Sequence, residues 1–163
     1  MTVIAEYNRN KAVEYANRWA MGRNPEYYDF SNIGGDCTSF ASQCLYAGCA
    51  VMNFTPVMGW YYKSLNDRTP SWTGVQYLYQ FLVNNSSRGP FAEETDLHHA
   101  MVGDIIQLEY GNAFYHSLVV TQITSTDSSG ILVNAHTFDA YKRPLSSYSF
   151  NSCRVLHIIG VYI

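Results

Sequence analysis

The sequence predicts an α+β fold in which amino-terminal helices pack on a carboxy-terminal antiparallel sheet. Two observations predict it. Apolar residues recur at helical spacing in the first half of the chain, and from Val102 onward the period becomes two. Helices first and a strand meander second place the helices on one face of the sheet. With 163 residues, the chain reads as one domain over 1–163, large enough to bury roughly two-thirds of its unfolded surface without a disulfide scaffold.

Between Asn8 and Met21 the residues Ala12, Val13, Tyr15, Ala16, Trp19 and Ala20 form the apolar stripe of an amphipathic helix that Gly22 closes. Asn24-Pro25 breaks the helix, and Tyr27-Tyr28-Asp29-Phe30-Ser31-Asn32 is an aromatic loop. The stretch Gly34-Gly35-Asp36-Cys37-Thr38-Ser39-Phe40 follows. Adjacent glycines permit positive φ and close approach, and Asp36 stands where an N-cap carboxylate accepts orphan N–H groups. A helix then reads from Thr38 to Tyr46 and stops at Gly48. Cys37 in its first turn feels the positive end of the helix dipole, which predicts a thiolate at neutral pH.

Residues 50–70 read as a long irregular section holding Pro56, Gly59 and Trp60-Tyr61-Tyr62; loops of that length inside a domain are often functional. A further helix is expected from Ser71, as N-cap, through Trp72, Val75, Tyr77, Leu78, Phe81 and Leu82 to Asn84-Asn85, and Ser86 to Asp96 reads as a surface connection. Gly103-Asp104 opens a strand, Ile105 to Tyr110; Gly111-Asn112 turns it into Tyr115 to Ile123. A turn at Asp127-Ser128-Ser129-Gly130 leads to a strand over Ile131 to Thr137, and a last strand runs from Arg154 to Ile163.

A net charge of −3 with scattered basic residues argues against a nucleic-acid partner. The 14 Tyr, 8 Phe and 3 Trp supply half-polar surfaces that bind sugars and peptides as well as filling a core. No stretch approaches the length of a membrane-spanning helix, and the amino terminus shows neither the basic nor the apolar region of a signal peptide. Cysteines at 37, 44, 49 and 153 form no CxxC, so neither zinc nor another cofactor is expected. Cys37 and Cys44 share a helix face two turns apart and cannot be bridged, which leaves Cys49 with Cys153 as the disulfide to test. His98-His99 reads as an exposed loop and His157 as structural.

A thiolate nucleophile needs a base, and the base needs a partner that fixes its tautomer. His116, at the start of an apolar strand, is the candidate base. Asn134 and His136 share a parity on the next strand, and antiparallel pairing can bring either beside His116. Asp139, three residues beyond His136, is placed to orient that ring.

Gly35-Asp36-Cys37-Thr38-Ser39-Phe40, Gly103-Asp104-Ile105-Ile106 and His116-Ser117-Leu118-Val119-Val120 resemble segments of the papain-like cell-wall hydrolases of the NlpC and CHAP superfamily. The closer resemblance is to the putative amidase domain family within it. Tyr7-Asn8-Arg9, Ala12-Val13, Tyr15-Ala16, Trp19-Ala20, Asn24-Pro25, Gly34 to Phe40, Ser42-Gln43-Cys44, Trp60-Tyr61-Tyr62, Ser71-Trp72 and Ala135-His136 with Asp139 carry that resemblance over nearly the whole chain. It implies a papain-like α+β domain with Cys37 as nucleophile, His116 as base and His136 as third member, Asn134 being the alternative. The oxyanion hole would use the Cys37 N–H and a donor from Tyr28, Ser31 or Asn32. The implied activity is hydrolysis of a peptidoglycan stem-peptide amide or the bond joining peptide to sugar, by a monomer in the cell wall or outside the cell. Trp60, Tyr61, Tyr62 and Trp72 would wall the substrate. A different peptide or small amide, and a binding module that kept the fold without turnover, are the alternatives.

Overall fold

The computed structural model describes residues 2–163. Helix α1 spans Arg9–Trp19, and Asn8 caps it by accepting the Lys11 N–H at 3.0 Å. Helix α2 spans Cys37–Cys49, and Ala50 in the left-handed region (φ 57°) ends it. The single helix expected over 71–85 is two: α3 (Pro70–Thr73) and α4 (Val75–Asn84), divided by Gly74. A Cβ at Gly74 would stand 2.7 Å from the Tyr77 ring. Thr69 takes the N-cap position, while the Ser71 hydroxyl donates to the Gly59 carbonyl at 2.6 Å.

Among the described residues nine strands are present: β1 (Ile4–Ala5), β2 (Tyr62–Ser64), β3 (Asp67–Arg68), β4 (Gly89–Thr95), β5 (Ile105–Tyr110), β6 (Ala113–Ile123), β7 (Ile131–Ala135), β8 (Ala140–Pro144) and β9 (Ser152–Tyr162). Strands β2 and β3 make a small hairpin inside the section read as irregular. The others form one antiparallel sheet in which β9 carries β4 on one edge and β5 and then β1 on the other, and the order continues through β6 and β7 to β8. Strand β4 replaces the expected surface connection. Its Pro90 is tolerated because β4 pairs with β9 alone and its other edge is free.

The helices cover one face of this sheet, around Phe40, Leu45, Trp60, Trp72, Leu78, Ile105, Val119 and Leu156. The opposite face holds Ile106, Leu108, Leu118, Val120, Val133 and Ala135, closed over by Leu145, Tyr148 and Phe150. Cys49 packs with the first layer and Cys153 with the second. The possible Cys49–Cys153 disulfide is absent: all four cysteines are free, and these two lie on opposite sides of the sheet. Among the described residues no helix is long and apolar enough to cross a membrane.

Candidate active site

Cys37 is the first residue of α2 and 8% exposed. The Thr38 hydroxyl lies 3.7 Å from its sulfur, and the Ser117 backbone N–H is directed at it. Burial pushes the thiol pKa above its ordinary value; the Ser117 N–H and the Thr38 hydroxyl and N–H pull the other way by less, and the Asp36 charge adds to the rise. The neutral-pH thiolate expected from the helix dipole is thereby corrected. Loss of water outweighs the dipole, and the free protein holds Cys37 as a thiol.

His116 faces away from α2. It pairs directly with Leu108, whose side chain lies in the layer opposite the helices, and its ring stands 5.8 Å from the rings of Tyr115 and Tyr148. Ser117, one residue on, points the other way and meets Thr38 of α2 at 3.0 Å. Burial and then the Arg143 charge lower the His116 pKa to about 4, so its imidazole is neutral at neutral pH.

The register explains why the expected partners do not meet this histidine. Val119 lies opposite Asn134, so Asn134 shares the helix-side face, as does His136 two residues on. His116, three residues before Val119, faces the other side. Among the described residues no hydrogen bond joins His116 to Cys37, Asn134 or His136. Asn134 is spent elsewhere: its amide donates to Asn17 at 3.0 Å, and its oxygen accepts the Thr121 hydroxyl at 3.0 Å and the Lys142 N–H at 2.8 Å.

His136 is committed on both nitrogens. Nε2 stands 2.7 Å from the Trp19 carbonyl, which only accepts, so Nε2 bears a proton. Nδ1 stands 2.5 Å from Asp36 Oδ2, and the ring stacks on Phe40 at 4.0 Å. The role of His136 as partner of His116 is corrected, because no ring nitrogen is left to serve it. Asp36 is corrected too. It occupies the cap position, but at φ −105° and ψ 2° its carboxylate makes no cap bond. Oδ1 instead accepts the Phe30 N–H at 2.9 Å, while the Asp36 N–H donates to Thr137 Oγ1 at 3.0 Å. Gly35, at φ 99° with Thr137 Oγ1 3.2 Å from where a Cβ would stand, lets the chain pass there. These bonds tie the loop before Cys37 to the end of β7.

Asp139 orients Arg23 rather than His136, through two 2.9 Å bonds. Arg23 Nε also lies 3.2 Å from Asp29 and 3.6 Å from Asp36. The oxyanion candidates lie on the loop that Arg23 braces. The Ser31 hydroxyl is held by Asp29 and Arg23 at 2.5 and 3.2 Å. The exposed Tyr28 ring packs edge-on to Phe30. The exposed Asn32 amide makes no hydrogen bond among the described residues.

The aromatic wall is corrected in three of its four members. Trp60 and Trp72 are fully buried with ring centres 4.8 Å apart, Trp60 Nε1 donating to Ser42 at 3.1 Å. Tyr62 is buried against Tyr27 and Trp72. Apolar area in the helical layer outweighs any use of these rings at the surface. Tyr61 alone of the four reaches solvent, with its hydroxyl on Asp67 at 2.8 Å. Arg23, Phe40, Thr38 and Ser117 were not foreseen as site residues. Ser117, a hydroxyl inside an apolar strand beside the candidate base, was the available signal.

The sequence model of the family described as "Putative amidase domain" matches residues 6–159. The Bacillus subtilis (strain 168) protein "Uncharacterized protein YhbB" is 33% identical over 142 residues, which are 85% of this chain and 44% of that protein. This chain thus spans under half the length of that curated relative. No solved structure matches.

Proposed function

Since the chain belongs to the putative amidase domain family, we propose that it is a cysteine-dependent amide hydrolase, one domain of papain-like architecture akin to the NlpC and CHAP enzymes. Its substrate in this reading is bacterial peptidoglycan, at a stem-peptide amide or the bond joining peptide to sugar. It acts as a monomer at the cell wall and needs no cofactor. One observation carries the reading: α2 opens on a cysteine, with hydrogen-bond donors from Thr38 and Ser117 collected at the sulfur.

The sulfur attacks the scissile carbonyl while His116 takes the thiol proton. The Cys37 N–H, which has no partner inside the helix, receives the developing oxyanion together with the Asn32 amide. The C–N bond breaks, His116 returns the proton to the departing amine, and water activated by His116 cleaves the thioester to restore the thiol. His116 suits this role because its imidazole is neutral and because it is covalently joined to Ser117, whose N–H meets the sulfur. Reaching the thiol requires the His116 side chain to swing past the edge of β6 while Ser117 stays in place. Pairing with β7 begins at Val119, so residues 116–118 are held on that side by no ladder.

Purified cell walls test the proposal. The protein releases new amino groups, mass spectrometry of the products names the bond, and Cys37→Ala releases none; equal release by both proteins overturns it. Release from unrelated amides but not from walls moves the substrate class. The position of His116 on the far face favours a second reading, a binding module without turnover. That reading predicts wall binding by both proteins and release by neither.

A further inference from the structure

We propose that Arg154, Gln107, Ser117 and Thr38 form a buried, directional hydrogen-bond chain that positions the Cys37 thiol and favours its ionisation; this rests on Cys37 being the nucleophile. Each link has an assignable donor. Arg154 Nε and Nη2 donate to Gln107 Oε1 at 2.9 and 2.8 Å. A guanidinium has no acceptor, so the amide oxygen must face it and Gln107 cannot be flipped. Both protons of Gln107 Nε2 are then placed, one on the Val75 carbonyl at 2.9 Å and one on Ser117 Oγ at 3.2 Å. Ser117 thus accepts from Gln107 and has its own proton for Thr38 Oγ1 at 3.0 Å. The Thr38 proton is left for the sulfur at 3.7 Å. A donor at the sulfur stabilises the thiolate over the thiol, and a cation at the far end of the chain polarises every link the same way.

The surroundings are unusual for a merely structural row. Gln107 pairs with Arg154 on one side and with Ser117 on the other, so three neighbouring strands set polar groups side by side. They do so within the helix-side layer, beside Ile105, Val119 and Leu156. All four chain residues are less than one-tenth exposed. The guanidinium is fixed between the Tyr79 and Phe114 rings, at 3.6 and 3.7 Å, with Nη2 also on Gln76 at 2.9 Å. Apolar residues would fill such a row at lower desolvation cost, yet it ends at the residue with nucleophilic chemistry.

Other charges bear on the same thiol. Asp36 opposes its ionisation, while Arg23 and His136 share the Asp36 carboxylate. His116 lies across the strand from it, and α4 carries no acid or base other than tyrosine.

The test is a pH titration of thiolate ultraviolet absorbance, taken for each protein as the difference from its own Cys37→Ala counterpart, with circular dichroism confirming the fold. Thr38→Val should raise the Cys37 midpoint by about one pH unit, a tenfold loss in ionisation constant. Thr38→Ser should restore it. Ser117→Ala should raise it by less, and Thr38→Val with Ser117→Ala should match Thr38→Val alone, because the chain acts through Thr38. Folded Thr38→Val and Ser117→Ala proteins with unchanged midpoints, or with shifts that add, overturn the chain. Failure to cleave walls overturns the amidase reading instead and leaves these midpoints to be read.

Discussion

His136 Nδ1 and Asp36 Oδ2 stand 2.5 Å apart with 1% of either side chain exposed. The pair joins three elements: His136 follows β7, its other nitrogen meets the carbonyl of Trp19 at the end of α1, and Asp36 precedes the first residue of α2. What reads along the chain as a helix cap and a catalytic histidine is a buried clamp that sets where Cys37 stands.

Removing one partner of a buried pair leaves the other unsatisfied in a place without water. Asp36→Ala is therefore expected to lower the free energy of unfolding by about 3 kcal/mol. Asp36→Asn keeps an acceptor for the Phe30 N–H and gains an amide that donates to a neutral ring nitrogen, so its loss should be about 1 kcal/mol. Urea denaturation of the two variants checks this. Equal losses would show that the carboxylate, and not the hydrogen-bonded shape, is what matters.

Stability should depend on pH through His116. The unfolded chain binds its proton near pH 6.5 and the folded protein only near about 4, because the ring is buried and Arg143 is close. Between those values the unfolded state holds more protons, so stability rises with pH across the window and is lost as pH falls through it, by at most about 3 kcal/mol. His116→Gln should flatten this part of the profile. Thermal melts from pH 4 to 7 measure it, and an unchanged slope in the variant would place the dependence elsewhere.

The helices, the Gly111-Asn112 hairpin and the place of Cys37 at a helix start were legible because periodicity and turn chemistry are local. What was not legible depends on register and layer. Parity placed Asn134 and His136 on one face correctly, but the facing of His116 turns on the Val119–Asn134 pairing, which the intervening turn decides. Strand β4 was hidden by Pro90 and its two glutamates, and the short β1, β2 and β3 are formed by tertiary contact rather than by propensity. Trp60 and Trp72 look alike in sequence whether they line a groove or fill a core; their full burial, with ring centres 4.8 Å apart, shows that they fill it.

Core and surface aromatics should separate cleanly in mutation. Trp72→Ala removes a fully buried ring packed on Trp60, Tyr27 and Tyr62 and should cost about 4 kcal/mol. Tyr61→Ala, at the solvent side of the same run, should stay within about 1 kcal/mol of the parent. Denaturation midpoints compared at equal slope decide this, and a large loss for Tyr61→Ala would return that ring to the core.

In the proposed reaction Cys37 accepts the acyl group. Intact-mass spectrometry of protein mixed with soluble peptidoglycan fragments and quenched in acid tests it most directly. The expected result is an added mass equal to one acyl fragment, mapped by digestion to Cys37, diminished by His116→Gln and absent in Cys37→Ala. Cleavage of the fragments that persists in Cys37→Ala, with no adduct on the parent, would contradict it.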